Sequence, residues 1–335
     1  MKEFYGTKIV GIGGALPETV ISNDDLSKLV DTSDEWITSR TGIKQRHVVG
    51  AETCTSLSTA AAREALQYAG VEASEIDLII VATSTPDYLY PSTACLVQKE
   101  IGAVNAAAFD LEAACTGIIY ALTVADQFIK TGASKTVLVI GADLHSRFLD
   151  WSDRNTCILF GDGAGAFVLQ GTKGESDIIS SYIKADGRSP EFLNIPNGGV
   201  NFQRPGEAKS AEHARYAQMN GKAIYEFAVS IVPEAIKAVC QQASLQISDM
   251  DHYILHQANE RIIKAIANKL SIPSEKLIVS VDAVGNTGAA SIPLALKKAL
   301  ASGQIKAPAK CALVGFGGGL TWGSLLINWT AVPKG

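Results

Sequence analysis

The sequence predicts an internally duplicated α/β protein whose sheets are mainly parallel and covered by helices. Three observations point there. Ala114-Cys115-Thr116-Gly117 follows a strand-like run and opens an apolar helix pattern, and Gly285-Asn286-Thr287-Gly288 does the same in the second half. Strand, helix, strand, helix and strand patterns recur in one order on both sides of the midpoint. The landmarks also keep their spacing, with 38 residues from Asp77 to Cys115 and 35 from Asp251 to Asn286. Either half alone would leave one sheet face open. Residues 1–172 and 173–335 are therefore expected to pack on each other as one compact pseudo-dimer.

The elements follow in order. The apolar run 77–83 reads as a buried strand, and Pro91-Ser92 opens a helix that Gly102 closes. Residues 106–110 are a strand, a long helix runs from about Cys115 to Lys130 before Gly132, and 137–141 is the next strand. Phe160-Gly-Asp-Gly-Ala-Gly-Ala166 then leads into the run 167–169. In the second half, 253–255 is a strand, Asn259 caps a helix to Leu270, 277–281 is a strand and 288–302 a helix. Strand 311–315 and the glycine-rich Phe316-Gly-Gly-Gly-Leu-Thr-Trp-Gly323 lead into the run 324–327.

Two insertions depart from this repeat. Residues 24–53 carry a short helix marked by the capping box Thr32-Ser33-Asp34-Glu35 and stopped at Gly42. Residues 185–220, rich in Gly, Pro and polar residues, have the length and composition of a substrate cover.

Composition narrows the function class. A net charge of -5 argues against bulk attraction to nucleic acid. No window of 18 consecutive apolar residues occurs, so no membrane span is expected. The start, Met1-Lys2-Glu3-Phe4-Tyr5, lacks the apolar core of a signal peptide. The six cysteines (54, 95, 115, 157, 240 and 311) form no CxxC pair and no metal-ligand spacing. They read as free thiols of a cytoplasmic protein, with no metal site. Gly11-Ile12-Gly13-Gly14-Ala15 lacks the third glycine of a dinucleotide loop and runs at once into Pro17, which excludes a nicotinamide site.

Cys115 is the candidate nucleophile. At a helix N-terminus, unpaired N–H groups and the helix dipole are expected to lower its pKa and favour the thiolate. His256 ends an apolar strand, at the sheet edge where α/β proteins bind ligands. Its neutral imidazole can donate from Nε2. Asn286 offers an amide that donates a hydrogen bond and takes up no proton, a second donor for developing negative charge. In the run 316–319, a glycine N–H paired with that of Cys115 is suited to an oxyanion hole. His47, His145, His213 and His252 have less persuasive settings.

Nearly end to end, the chain resembles the β-ketoacyl-acyl-carrier-protein synthase III family of the thiolase superfamily. The matching stretches are Thr32-Ser-Asp-Glu-Trp-Ile-Thr-Ser-Arg-Thr-Gly42, Ala113-Ala-Cys-Thr-Gly117, Phe160-Gly-Asp-Gly-Ala-Gly165, His256-Gln-Ala-Asn259, Gly285-Asn-Thr287 and Phe316-Gly-Gly-Gly-Leu-Thr-Trp-Gly323. The resemblance implies a five-layer αβαβα fold, a homodimer, and condensation of a short acyl-CoA with malonyl-acyl carrier protein to start fatty-acid chains. Acyl-CoA is then a substrate, and no cofactor is implied.

By the same resemblance Cys115 accepts the acyl group, His256 and Asn286 support decarboxylation, and Gly318 shares the oxyanion hole with Cys115. Trp36, Arg40 and Arg154 hold the adenine end of CoA, and Asn259 the pantetheine arm. Tyr90, His145, Phe160, Ile195, Met219, Gly221 and Tyr225 fall on acyl-pocket positions, Tyr90 reaching the partner subunit's pocket. Tyr90 stands where Phe is common and His145 where Leu is usual. Arg261, Lys264 and Lys269 make a basic face for an acidic carrier protein, although Glu226 departs from the basic residue often found there.

Other readings stay open. An acyltransferase or ketosynthase of secondary metabolism would share this fold. A Cys-His-Asn hydrolase has the same residue order, and 141 residues separate Cys115 from His256, but the duplicated pattern is wrong for it.

Overall fold

The computed structural model describes residues 6–199 and 215–334. The predicted cover lies partly outside the described residues, as does His213. In chain order the first half holds β1 (Gly6–Ala15), β2 (Thr19–Ser22), α1 (Asn23–Leu26), α2 (Asp34–Thr41), β3 (Gln45–Val48), α3 (Cys54–Ala69), β4 (Leu78–Ala82), α4 (Thr93–Ile101), β5 (Ala107–Leu111), α5 (Gly117–Lys130), β6 (Thr136–Leu144) and β7 (Asp162–Thr172). The second holds β8 (Ile178–Ala185), β9 (Leu193–Asn194), β10 (Gln218–Met219), α6 (Gly221–Gln242), β11 (His252–Leu255), α7 (Glu260–Leu270), α8 (Val281–Val284), α9 (Ser291–Ala301), β12 (Ala309–Gly317) and β13 (Thr321–Trp329).

Two large sheets result, ordered β1-β7-β6-β4-β5 and β11-β12-β13-β8. Alternate side chains of one strand serve two cores, as the pleat requires. Ile80 and Ala82 of β4 face a central layer with Ile118 and Leu122 of α5 and Ile292 and Leu296 of α9. Ile79 and Val81 face the opposite way, into a core with Leu57 and Ala65 of α3 and Val97 of α4. Leu313 and Leu325 close the central layer from the second sheet, whose other face packs Val314 and Leu326 against Ile236 of α6 and Ile263 of α7. The layers therefore run α, β, α, β, α, with α5 and α9 between the sheets. Buried Leu and Ile side chains of this kind each contribute roughly 1.5–3 kcal/mol.

The structure corrects three expectations. The sheets are mixed rather than mainly parallel. β4 pairs in parallel with β5 and β6, but β7 runs antiparallel to β6 and to β1. No crossover helix separates β6 from β7, and β12 turns directly into antiparallel β13, so each strand folds back beside its predecessor. The run 277–281 is not a ladder strand. It touches the sheet through one parallel bridge, Leu277 to Tyr253. The reason is that the Gln257 side-chain oxygen takes the N–H groups of Ser280 and Val281 and ends the pairing. Finally, α2 is capped by Ser33, whose side chain accepts from Trp36 N–H, one residue later than the capping box predicted.

The duplication reaches the functional ends of the central helices. A tight turn at Ala114–Thr116 leads into α5, and its counterpart at Gly288–Ala290 leads into α9. The two turns pack against each other.

Candidate active site

Cys115 sits in the turn between β5 and α5, and the chain is bent sharply to put it there. Ala114 has φ +45°, a left-handed conformation that costs a non-glycine residue on the order of 1 kcal/mol. Neighbouring groups hold the bend. Glu112 Oε1 accepts Ala114 N–H at 2.9 Å, and the Thr321 hydroxyl donates to Ala113 O at 3.0 Å. β12 approaches from the other side, close enough that a Cβ at Gly317 would stand 2.9 Å from Cys115 Cβ. Only glycine fits there.

Cys115 is 4% exposed. Burial pushes its thiol up, and the charge of Asp143 adds to the effect. This overturns the expectation of a thiol lowered by its helix. Desolvation of a fully buried sulfur outweighs the helix end, so the resting group is the protonated thiol.

His256 follows β11 and keeps its register by donating its N–H to Val314 O at 2.7 Å. Its Nδ1 lies 2.7 Å from Ser291 Oγ, and Phe316 packs edge-on at 5.2 Å between ring centroids. Burial lowers its pKa to about 3, so the imidazole is neutral. Asn286 pairs with Phe160 as a single parallel bridge and is 6% exposed. Its Oδ1 accepts Gly288 N–H at 3.0 Å, which leaves the Nδ2 edge for a ligand.

Cys115, His256 and Asn286 line one cavity of about 870 Å³. Phe160, Met219, Gly221 and Tyr225 of the predicted acyl pocket line it too, as do Arg40, Asn259 and Arg261 of the outer site. Tyr90, His145 and Ile195 do not. Tyr90 is 86% exposed beside Tyr88 and Leu89, and a single chain does not bring it to the cavity. His145 stands behind Phe160, with ring centroids 4.9 Å apart. Gly318 is buried one residue beyond the cavity-lining Gly317, and its carbonyl, 2.9 Å from Thr321 Oγ1, shares that hydroxyl's one proton with Ala113 O.

Arg40 lines the mouth, and Trp36 and Arg154, which do not line the cavity, stack beside it, with Arg40 Cζ 4.4 Å and Arg154 Cζ 5.0 Å from the Trp36 ring centroid and Arg154 donating to Asp31 O at 2.9 Å. Asn259 Oδ1 caps α7, and its Nδ2 donates to Arg40 O at 3.1 Å, so it orders the mouth as well as lining it. Of the predicted basic face, Arg261 reaches the mouth, Lys264 pairs with Glu260 at 2.7 Å, and Lys269 donates to Val229 O. Glu226 lies 3.9 Å from Lys222, a mouth residue that sequence reasoning missed. Ser291 and Asp143 were also missed, since Ser291 meets His256 across 35 positions and Asp143 holds Ala289 N–H from β6, and no local motif marks either. Gly317 and Thr321 fall inside the glycine-rich stretch already singled out, although their contacts with the Cys115 turn do not show in sequence.

A buried thiol, a neutral imidazole and a carboxamide on one cavity, carried by a duplicated five-layer frame, define a thiolase-like enzyme site. Comparison with known proteins makes this specific. Residues 109–187 match the family model described as 3-oxoacyl-[acyl-carrier-protein (ACP)] synthase III, and residues 240–329 match that of its C-terminal part. A beta-ketoacyl-[acyl-carrier-protein] synthase III of Clostridium acetobutylicum is 46% identical over 323 residues, spanning 96% of this chain and 98% of the relative. The crystal structure of 3-oxoacyl-[acyl-carrier-protein] synthase III from Aquifex aeolicus VF5 superposes with TM-score 0.89 at 46% identity, covering 96% of this chain and all of that one. The priming beta-ketosynthase of the R1128 polyketide pathway superposes with TM-score 0.91 at 32% identity, covering 100% of this chain and 99% of that one. The chain belongs to the 3-oxoacyl-[acyl-carrier-protein] synthase III family.

Proposed function

We infer that this enzyme is an acyltransferase that condenses a short acyl-CoA with malonyl-acyl carrier protein, releasing CO2 and starting fatty-acid synthesis. The convergence of Cys115, His256 and Asn286 on one cavity carries this reading. Family membership supports it over a secondary-metabolic ketosynthase, since the fatty-acid-type relatives are the more similar in sequence.

In the first half-reaction Cys115 sulfur attacks the thioester carbonyl, and the N–H groups of Cys115 and Gly318 hold the oxyanion. The C–S bond to CoA breaks, the thiol proton leaves as CoA-SH, and an acyl-cysteine remains. Trp36, Arg40 and Arg154 grip the nucleotide end by stacking and ion pairing, and Asn259 meets the pantetheine arm. In the second half-reaction malonyl thioester enters. This step needs the His256 proton on Nε2, with Ser291 Oγ, which lies 2.7 Å from Nδ1 and accepts Gln257 N–H, giving its own proton to Nδ1. Nε2–H and Asn286 Nδ2–H bind the thioester oxygen and stabilise the enolate as CO2 departs. The enolate carbon attacks the acyl-cysteine. A 3-oxoacyl thioester leaves, and the Cys115 thiolate regains a proton from solvent. No metal or cofactor takes part.

The same reading makes the enzyme a cytoplasmic homodimer. β5 is an open sheet edge, and the exposed Tyr88, Leu89 and Tyr90 lead towards it, an apolar patch suited to a second copy. In that dimer Tyr90 reaches the partner subunit's acyl pocket, and Phe160, Met219, Gly221 and Tyr225 line the chain's own. Arg261, with Lys264 and Lys269 behind it, meets the acidic carrier protein. The cysteines 54, 95, 115, 157, 240 and 311 are all unpaired, as suits a reducing compartment. Intact-mass measurement after incubation with a panel of acyl-CoAs tests the reading. Short acyl groups should add once per chain, and a Cys115→Ala chain that still acquires the mass would refute it.

A further inference from the structure

Arg46, on β3, is a fully buried cation that the mechanism above leaves unused. Its three hydrogen-bond acceptors among the described residues are all neutral. Nη1 donates to Ile21 O at 3.1 Å, and Nη2 donates to Asn23 Oδ1 at 2.9 Å and to Ile158 O at 2.8 Å. Nε is buried with no hydrogen-bond partner among the same residues. Burial pulls the pKa of the group down to about 10, which leaves it charged at neutral pH. Burying a charge beside neutral partners alone is costly. What the guanidinium adds is a rigid planar fork that reaches three separate segments at once.

Two of those segments, at Ile21 and Asn23, lead into the insertion that carries Trp36 and Arg40. Asn23 extends the contact, its Nδ2 donating to Ile43 O at 2.7 Å and to Asp34 Oδ1 at 2.8 Å, and Asp34 begins α2. The fork is thereby anchored on one side. On the other side it leads to the catalytic amide. Ile158 precedes Leu159 and Phe160, which line the cavity with Asn286. Leu159 O accepts Asn286 N–H at 2.9 Å, and Asn286 O accepts Gly161 N–H at 2.9 Å. The Arg46 stem packs behind this bridge, since a Cβ at Gly285 would stand 3.2 Å and one at Gly161 3.3 Å from Arg46 Cβ. We propose that Arg46 is a positioning residue for Asn286. Its fork holds segment 158–161 in register, and with it the amide that meets the malonyl thioester. Arg46 itself touches no substrate.

This inference rests on the use of Asn286 in the malonyl half-reaction, and the test separates the two. Arg46→Met keeps most of the apolar stem and removes the fork. Label transfer to Cys115 from a short acyl-pantetheine thioester, and CO2 release from malonyl-pantetheine, are measured in the wild type, Arg46→Met, Asn286→Ala and the double variant. These substrates need no grip on a nucleotide, so a shift of α2 does not enter the rates. In Arg46→Met, CO2 release should fall about tenfold while label transfer stays within about twofold. In the Asn286→Ala background the same change should lower CO2 release by less than about twofold more, because the amide it positions is gone. A merely structural loss would lower both half-reactions alike and would multiply with Asn286→Ala. Either result overturns the proposal, as does unchanged CO2 release in Arg46→Met. If the methionine variant fails to fold, Arg46→Lys, which keeps the charge without the fork, is read by the same criteria. A wild type that takes no label on Cys115, or an Asn286→Ala chain that releases CO2 at the wild-type rate, refutes the parent reading. With both controls as expected, a failed Arg46 prediction refutes only the role of Arg46.

Discussion

Ser291 Oγ stands 2.7 Å from His256 Nδ1. Ser291 opens α9 and follows Asn286 by five positions, so one short segment presents the catalytic amide and also steers the imidazole. The two donors proposed for the enolate oxygen are therefore set by a single piece of backbone, itself pinned by Asp143 through Ala289 N–H.

Ser291→Ala should remove the tautomer control while leaving the sulfur untouched. Malonyl decarboxylation is expected to fall about tenfold, the equivalent of one lost hydrogen bond of roughly 1.4 kcal/mol. Transfer of radiolabel from acyl-CoA to protein should stay within about twofold. Equal losses in both half-reactions would contradict this role.

Asn286→Ala should separate the half-reactions further. Acyl transfer is expected to persist, and decarboxylation to drop by roughly 10²–10³, the usual effect of deleting an oxyanion donor. Labelling with acyl-CoA and CO2 release from malonyl thioester report the two steps independently, and a mutant that cannot be labelled refutes the assignment.

His256 links catalysis to acid stability. Its ordinary value of 6.5 is lowered in the folded chain to about 3 by burial. The unfolded chain thus binds a proton that the native state refuses between those values. Stability is fully present above about 6.5 and is lost as pH falls towards about 3, by several kcal/mol at most at 1.36 kcal/mol per unit. Denaturant titrations of wild type and His256→Gln should show the acid loss reduced in the variant. Parallel curves would mean the imidazole is not held neutral.

Arg261 is the basic residue of α7 that reaches the cavity mouth. Arg261→Glu should raise the KM for carrier-protein substrate several-fold at low salt and much less at high salt, because screening already weakens the wild-type attraction. Activity with a small malonyl thioester should change little. An unchanged KM at low salt would remove this helix from the docking surface.

The fold was legible wherever local signals agree with tertiary structure. Gly42 and Gly102 end helices in the left-handed conformation, Asn259 caps α7, and the repeat around Cys115 and Asn286 is the turn that begins α5 and α9. The expectations that failed depend on contacts between distant residues. Gln257 withdraws 277–281 from the sheet across some twenty positions, and nothing in an apolar run announces that. The direction of the Cys115 shift was misread for the same reason. Sequence shows the helix that lowers a thiol, whereas the burial and the Asp143 charge that raise it come from elsewhere in the fold. Ser291 bears on function only because α9 runs beside β11. The side chains of chemistry were visible, and those that set their protonation were not.

The most direct measurement follows the acyl group itself. Wild-type enzyme is incubated with a radiolabelled short acyl-CoA and cleaved, the Cys115 peptide is isolated, and malonyl-acyl carrier protein is added to a parallel sample. Label should appear on Cys115 alone, then leave it as 3-oxoacyl-acyl carrier protein with one CO2 released per acyl group transferred. Label on any other residue, or label that leaves Cys115 as the free acid without CO2, would contradict the account.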